Sequence, residues 1–254
     1  MEAAVHTCKN CGQVFEKNFC NACGQKTAHR LDVKHVLHEA FHVFTHADKG
    51  ILSFIPKILL QPGFVALNYV EGKRKRYFSP FQYLVIVVGL VTFLVAKTNY
   101  MESVYRSFDT AGQSAALAAS AQKVNGFMQR YYNLMAFAFI PGFTFFTWLF
   151  FRKRKYNYAE VFVLQTCIQG QSNTIALFFM PLVIFLPATT HQAINLFSIL
   201  LMFLGMALAN RQFFKITWVR SILLTLLIYV LCTTAMGLVS GLAALVLEYI
   251  VKQG

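Results

Sequence analysis

Long apolar blocks fill most of the chain after Pro80, and they constrain its fold more than any other feature. Several are long enough to cross a bilayer, which takes about 20 mostly apolar residues. The composition agrees, because only 13% of the residues are charged, whereas a soluble domain has about 25%. The sequence therefore predicts an all-α polytopic membrane protein with about five transmembrane helices. The predicted spans are 81–97, 133–151, 161–187, 193–210 and 221–247.

The chain divides into three parts by composition. Residues 1–30 are polar, carry four cysteines and lack the apolar core of a signal peptide, so we expect them to stay on the side of the membrane where they are made. Residues 31–79 are amphipathic and interrupted by prolines, and they are predicted to lie at the interface. Residues 80–254 are the transmembrane helical domain.

Lysine and arginine residues predict the orientation of the chain. With five spans, the basic clusters at 73–76, 152–155 and 211–220 all fall on one side. Cytoplasmic loops carry the excess of Lys and Arg in membrane proteins. The predicted topology therefore has a cytoplasmic N-terminus and a C-terminus outside.

Four cysteines near the N-terminus follow the pattern C-x2-C-x8-C-x2-C, and each pair is followed by glycine. Two intervening residues let both thiolates of a pair bend toward one ion, and the glycine permits the tight turn behind them. Cytoplasmic location argues against two disulfides, and no βαβ pattern supports a redox pair. The sequence predicts a small structural zinc ribbon. Its ligands are Cys8, Cys11, Cys20 and Cys23.

The histidine-rich segment 32–48 has a helical period and contains HEAFH. In the H-E-x-x-H template of zinc metalloproteases, His38 and His42 would bind the metal and Glu39 would activate water. The companion ligand motifs of such enzymes are missing, and a helix face with four histidines matches the template easily. The sequence favours a plain polar or pH-sensitive face. Accidental metal affinity and catalysis are the alternatives.

The segment 51–60 is apolar but too short to span, and Pro56 and Pro62 interrupt it. Such a segment is typical of a helix in the cytoplasmic interface. The basic run after it is predicted to bind anionic lipid headgroups, at about 1 kcal/mol per charge; setting the orientation of the first span would explain the run equally. Its residues are Lys73, Arg74, Lys75 and Arg76.

Ordered short motifs in the first third of the chain resemble a known family. Besides the cysteine pairs they are D-K-G at 48–50, P-G at 62–63, Tyr69, and G-K-R-x-x-Y-x-x-P at 72–80. Over about residues 8–85 the chain resembles an uncharacterised bacterial family of zinc-ribbon-headed multi-pass membrane proteins. We therefore expect a protein of a bacterial inner (plasma) membrane. The resemblance brings no substrate and no catalytic residues.

Polar side chains cluster on one face of the third predicted span. Polar groups at membrane depth face the interior of a helix bundle or a wet cavity. Hydrogen bonding between helices is the favoured role of this face. A pathway for a small solute is the alternative. The residues are Gln165, Gln169, Ser172 and Asn173.

Taken together, these features favour a non-enzymatic adaptor or regulator that recruits an unidentified cytoplasmic protein. One alternative is a small-solute transporter or channel that uses the polar face of the third span. Another is a membrane zinc metalloenzyme that uses HEAFH. The other expected partners are the lipid bilayer and anionic lipid headgroups; a homo-oligomer is left open, and no nucleic acid is expected.

Overall fold

The computed structural model describes residues 5–16, 18–28, 30–32, 50–75, 77–98, 100 and 132–253. The N-terminal module contains a short antiparallel pair of strands, β1 (His6–Thr7) and β2 (Val14–Phe15). A 3-10 turn over Arg152–Arg154 joins the fourth α-helix to the fifth. The α-helices are α1 (Ile51–Leu60), α2 (Pro62–Val70), α3 (Pro80–Lys97), α4 (Tyr132–Phe151), α5 (Tyr158–Phe185), α6 (Ala188–Phe214) and α7 (Trp218–Gln253).

Within the described ranges, four helices are long and apolar enough to cross a membrane, or up to five if the bent pair α1–α2 counts as one span. The four are α3, α5, α6 and the first part of α7, Trp218–Ala235, which overlap the first, third, fourth and fifth predicted spans. Over the second predicted span lies α4, with 20 residues, or about 30 Å at 1.5 Å per residue. The prediction of a helical multi-pass membrane protein is confirmed, with four to five candidate spans.

Helix α5 is central to the bundle, and its own side chains fix where it begins. Asn157 Oδ1 accepts a hydrogen bond from the Glu160 backbone N–H at 2.8 Å, and Glu160 Oε2 accepts one from the Asn157 N–H at 2.9 Å. This reciprocal pair satisfies two backbone donors at the helix start. Helices α1, α2, α3, α4 and α6 all pack against α5, so it positions most of the fold.

Two of the basic clusters lie at the same end of the helix bundle. Phe151, at the end of α4, stacks on Phe214, at the end of α6, with ring centroids 3.7 Å apart. The Arg211 guanidinium lies 4.9 Å from the centroid of the Trp218 ring at the start of α7. Residues 152–155 and 211–215 therefore lie at the same end, as the predicted topology requires. We call this the basic end.

Helices α1 and α2 differ from the expected interfacial helix. They are bent by 110° at Gln61, and most of α2 is buried against α5 and α6. Pro56 lies within α1 without ending it, whereas Pro62 begins α2, where its missing N–H costs no helical hydrogen bond. Phe54 and Ile58 of α1 are also buried. The segment is thus part of the helix body and does not merely lie on it.

Two glutamines satisfy the backbone groups that this bend leaves outside a helix. Gln171 of α5 donates from Nε2 to the Leu59 carbonyl at 2.7 Å. Gln212 of α6 donates to the Leu60 carbonyl at 3.1 Å and accepts from the Gly63 N–H at 3.0 Å. Backbone polar groups that are buried outside a helix need hydrogen-bond partners within the protein. The two side chains supply those partners.

Candidate functional site

The four N-terminal cysteines converge as the spacing predicts. One ligand atom from each lies within 4.8 Å of the others, and the sulfur pairs Cys8–Cys23 and Cys11–Cys20 are both 3.6 Å apart. Four sulfurs at about 2.3 Å from a zinc ion would stand about 3.8 Å apart at the corners of a tetrahedron. All four cysteines are free thiols. The structure has no disulfide among these four, and a metal ion fits the cluster.

Each cysteine pair is held by the same backbone turn. The Gly12 N–H donates to the Cys8 carbonyl at 2.9 Å, and the Gly24 N–H donates to the Cys20 carbonyl at 2.8 Å. Both glycines have positive φ, 78° and 69°, in the region that favours residues without a Cβ. The two turns present their sulfurs to a common point. The glycine after each cysteine pair therefore permits the tight turn that the sequence predicts.

The thiols of the cluster do not ionise alike. The pKa of Cys23 is lowered to about 6, first by a hydrogen bond from the Gln25 backbone and also by Asn10 and the neighbouring thiols, against the effect of burial. The Gln13 backbone acts in the same direction on Cys11, but burial and the neighbouring thiols raise its pKa to about 12. Adjacent thiolates repel one another, so a fully ionised set requires a cation. A divalent metal would supply that charge.

The cysteine module is docked on the membrane body through Gln25. Its side-chain amide donates to the Gly72 carbonyl at 2.7 Å and accepts from the Lys75 N–H at 3.2 Å. Gly72 has a φ of 95°, and a Cβ there would stand 2.9 Å from the Cβ of Ala28. Loop 71–75 and the module therefore approach too closely for a larger residue. The turn after the second cysteine pair is part of this interface.

A second set of contacts joins the module to the start of α5. Arg30 donates from Nε and Nη2 to the two carboxylate oxygens of Glu160 at 2.8 and 3.1 Å, and to the Lys155 carbonyl at 2.8 Å. The Asn157 amide donates to the carbonyl of the buried Leu31 at 2.9 Å. Glu160 raises the pKa of the Arg30 guanidinium. The module is thus fixed at the basic end from two sides.

Two of the four predicted lipid-binding residues, Lys73 and Arg74, make contacts within the protein. Lys73 Nζ donates to Asn68 at 2.9 Å and to Glu71 at 3.0 Å. Arg74 lies 5.6 Å from the centroid of the Tyr69 ring, and Lys75 is exposed. Arg76 lies outside the described residues. Binding of anionic headgroups stays a prediction.

Three of the four predicted intramembrane polar residues line one cavity. Gln165, Gln169 and Ser172 face a space of about 640 Å³ between α4, α5, α6 and α7. Gln165 also donates to Thr147 Oγ1 of α4 at 2.8 Å. Asn173 instead donates back to the Gln169 carbonyl of its own helix at 2.8 Å. Gln165 thus bonds to a neighbouring helix and also lines the cavity, and a pathway for a solute stays a prediction.

The remaining described lining of this cavity is mostly apolar and aromatic, with two hydroxyl side chains from α7, Tyr229 and Thr233. Among the described residues that line it, none carries a formal charge. Its volume lies within the range of about 300–1,000 Å³ that is typical of small-molecule sites. The described lining can hold an uncharged molecule but has no charged group to compensate the desolvation of an ion. The apolar and aromatic lining includes Phe139, Phe143, Leu196, Leu200, Phe203, Met206 and Tyr229.

The HEAFH motif of the histidine-rich segment falls outside the described residues. His38, Glu39 and His42 all belong to the segment 33–49, so the metalloenzyme hypothesis stays a prediction. Among the described residues, the four cysteines form the one cluster of potential metal ligands. Sequence reasoning did not single out Gln171 and Gln212, whose partners are more than 100 residues away along the chain.

The fold and these sites define a class: a multi-pass helical membrane protein with an N-terminal four-cysteine module docked at the basic end of its bundle. Within the chain, residues 48–92 match the family described as a protein of unknown function (DUF3667). This segment contains α1, α2, the basic run and most of α3, but not the cysteines. No curated protein and no solved structure matches the chain.

Proposed function

We propose that the protein binds a small uncharged solute within the membrane, in the cavity between α4 and α7, as part of a transport or carrier function. The observation that carries this proposal is the convergence of Gln165, Gln169 and Ser172 on one wall of a 640 Å³ cavity. Polar side chains at that depth are costly unless they are bonded or serve a cavity. In this proposal the membrane is a bacterial inner membrane.

The cysteine module has a structural part in this proposal. It holds a zinc ion in a closed four-sulfur site, which leaves no position for a substrate. The bound metal keeps the module rigid, and the module braces loop 71–75 and the start of α5 through Gln25 and Arg30. The excess of basic residues at that end supports a cytoplasmic N-terminus.

Cysteine accessibility tests whether the cavity is open to solutes. In the purified protein, a Ser172→Cys variant is expected to react with the small neutral reagent N-ethylmaleimide, because residue 172 lines the cavity. Thr174→Cys is the matched control, since Thr174 lies two residues further along, is buried and is bonded to Tyr83 at 2.6 Å. Peptide-level mass spectrometry locates the adducts. Equal protection of both positions would contradict the proposed function.

An adaptor is the second candidate, favoured by exposed apolar side chains on the cysteine module. Val14 and Phe19 are 54% and 58% exposed, and a module fixed to the body would hold a bound partner at a constant position. A photoreactive amino acid at position 19 is expected to give one discrete protein adduct in cells, and Val14→Ser should reduce it. The same amino acid at the exposed Leu52 of α1 is the control. Identical adducts from both positions would contradict the adaptor.

A further inference from the structure

We infer that the ligand of the cavity is an uncharged lipid with a small hydrogen-bonding head, which enters sideways from the bilayer between α6 and α7. This inference rests on the proposed function and specifies its ligand. It follows from the rim of the cavity, the chemistry of its walls and its depth in the bundle.

The rim of the cavity lies on the lateral surface of the bundle. Leu196, Leu200 and Tyr229 line the cavity and yet are each about half exposed, so they face the cavity and the surroundings together. Helices α6 and α7 are joined nearer the basic end, where Asn210 donates to Thr225 at 3.0 Å. Further from that end the space between the two helices belongs to the cavity. A molecule in the hydrocarbon layer meets this opening without crossing water.

The walls of the cavity select an uncharged head group. Amide and hydroxyl side chains offer both donors and acceptors but no charge. Among the described lining residues they come from α5, at positions 165, 169 and 172, and from α7, at Tyr229 and Thr233. An ionised head would lose its hydration without a counter-ion. A hydroxyl or ester group would find hydrogen-bond partners there, while the apolar side chains of α4 and α6 contact hydrocarbon.

The depth of the polar wall argues for a lipid rather than a water-soluble solute. Gln165 and Ser172 are 7 and 14 residues from Tyr158, where α5 begins at the basic end, or about 10 and 20 Å at 1.5 Å per residue. The polar groups thus lie within the thickness of the hydrocarbon layer, which is about 30 Å. At about 30 Å³ for each water-sized group, the cavity holds a head and part of a chain. The rest of the chain would extend through the gap between α6 and α7.

A photoreactive diacylglycerol tests this inference on the full chain in lipid nanodiscs. The probe carries a diazirine in one acyl chain, and labelled peptides are mapped by mass spectrometry. We expect labels on α5, α6 and α7 peptides that line the cavity. Phosphatidic acid with the same photoreactive chain is the comparison, and we expect it to label those peptides about tenfold less, the ratio that 1.4 kcal/mol produces. Equal labelling by the charged probe would overturn the assignment of an uncharged head.

Two tryptophan variants test the route of entry. Leu200→Trp places a large side chain at the rim and is expected to abolish diacylglycerol labelling inside the cavity. Leu204→Trp, one turn further along α6, is the matched control because Leu204 is 39% exposed but does not line the cavity. Labelling that is the same in both variants as in the wild type would overturn lateral entry.

Gln169→Leu tests the polar wall without filling the opening, and metal content and elution in size-exclusion chromatography report whether the variant is folded. We expect diacylglycerol labelling to fall about five- to tenfold, the effect of one or two lost hydrogen bonds. Unchanged labelling would overturn the role of the polar wall. If Ser172→Cys reacts with N-ethylmaleimide but diacylglycerol never labels the cavity, the cavity still binds a solute and only the lipid is wrong.

Discussion

Each chain purified in mild detergent is expected to carry one zinc ion, and a Cys20→Ser variant is expected to carry none. Cys20 is buried beside Phe15, and its sulfur is 3.6 Å from that of Cys11. A serine hydroxyl does not replace a thiolate as a zinc ligand, and a structural site depends on all four ligands. The loss removes a binding free energy of about 10–16 kcal/mol, which in small zinc modules is also the free energy of folding. Elemental analysis per mole of protein measures the result.

Two further variants decide what a changed metal content means. Cys232→Ser is the matched control, because Cys232 is equally buried but lies in α7, away from the cluster, and it should keep one zinc per chain. A His38→Ala/His42→Ala variant should also keep one. Two zinc ions in the wild type that fall to one in the histidine variant would place a metal on HEAFH and favour the enzyme hypothesis. A wild type without metal would contradict the zinc site.

Loss of the metal should also speed amide hydrogen exchange in the membrane body where it contacts the cysteine module. The Lys75 N–H donates to the side chain of Gln25. Gln25 lies two residues after the second cysteine pair. When the module unfolds in Cys20→Ser, the Lys75 amide should exchange with deuterium faster. The Gln61 N–H, which donates to the Lys57 carbonyl at the end of α1, should exchange as before. This comparison separates release of the module from general unfolding.

The parts of the molecule that the sequence predicted are those encoded locally. The four cysteines lie within 16 residues, and a glycine follows each pair, so spacing alone shows that they converge. The spans follow from apolar length, which the bilayer thickness sets. Gln165, Gln169 and Ser172 recur at helical spacing, and the structure places them on one wall. In each case the signal and the structure occupy the same short segment.

The bent pair α1–α2 shows why the rest could not be predicted. Its burial depends on Gln171 and Gln212, which are 112 and 152 residues from the carbonyls they bind. Gln212 lies two residues before the end of α6, where a polar side chain would ordinarily contact water. Nothing in 51–70 itself separates a segment that lies on a membrane from one that packs into a helix body. The basic run at 73–76 could likewise be predicted only in part. Its charge is evident from the sequence, but the residues that Lys73 and Arg74 contact are not.

Replacing Gly63 by alanine is expected to destabilise the protein strongly. A Cβ on Gly63 would overlap the Ala209 carbonyl oxygen, and it would lie 2.6 Å from the Gln212 Cβ and 2.8 Å from the Phe213 nitrogen. Two of these neighbours are backbone atoms of α6, so a change of rotamer cannot relieve the overlap. Helix α2 would have to move away and lose the hydrogen bond from the Gly63 N–H to Gln212. Overpacking costs about 1–3 kcal/mol, and the buried donor adds a similar amount.

Gly89→Ala is the matched control for this prediction. Gly89 also lies in a helix, but a Cβ there would meet no atom within 4 Å, so alanine should leave stability unchanged or raise it by up to about 1 kcal/mol. Thermal unfolding in detergent, followed by tryptophan fluorescence, compares the two variants with the wild type. The zinc content of Gly63→Ala should stay at one per chain, since the atoms nearest to a Cβ on Gly63 belong to α6 and not to the cysteine module. Equal melting temperatures for Gly63→Ala and Gly89→Ala would contradict the packing of α2 against α6, and an interfacial position of the bent pair would then be favoured.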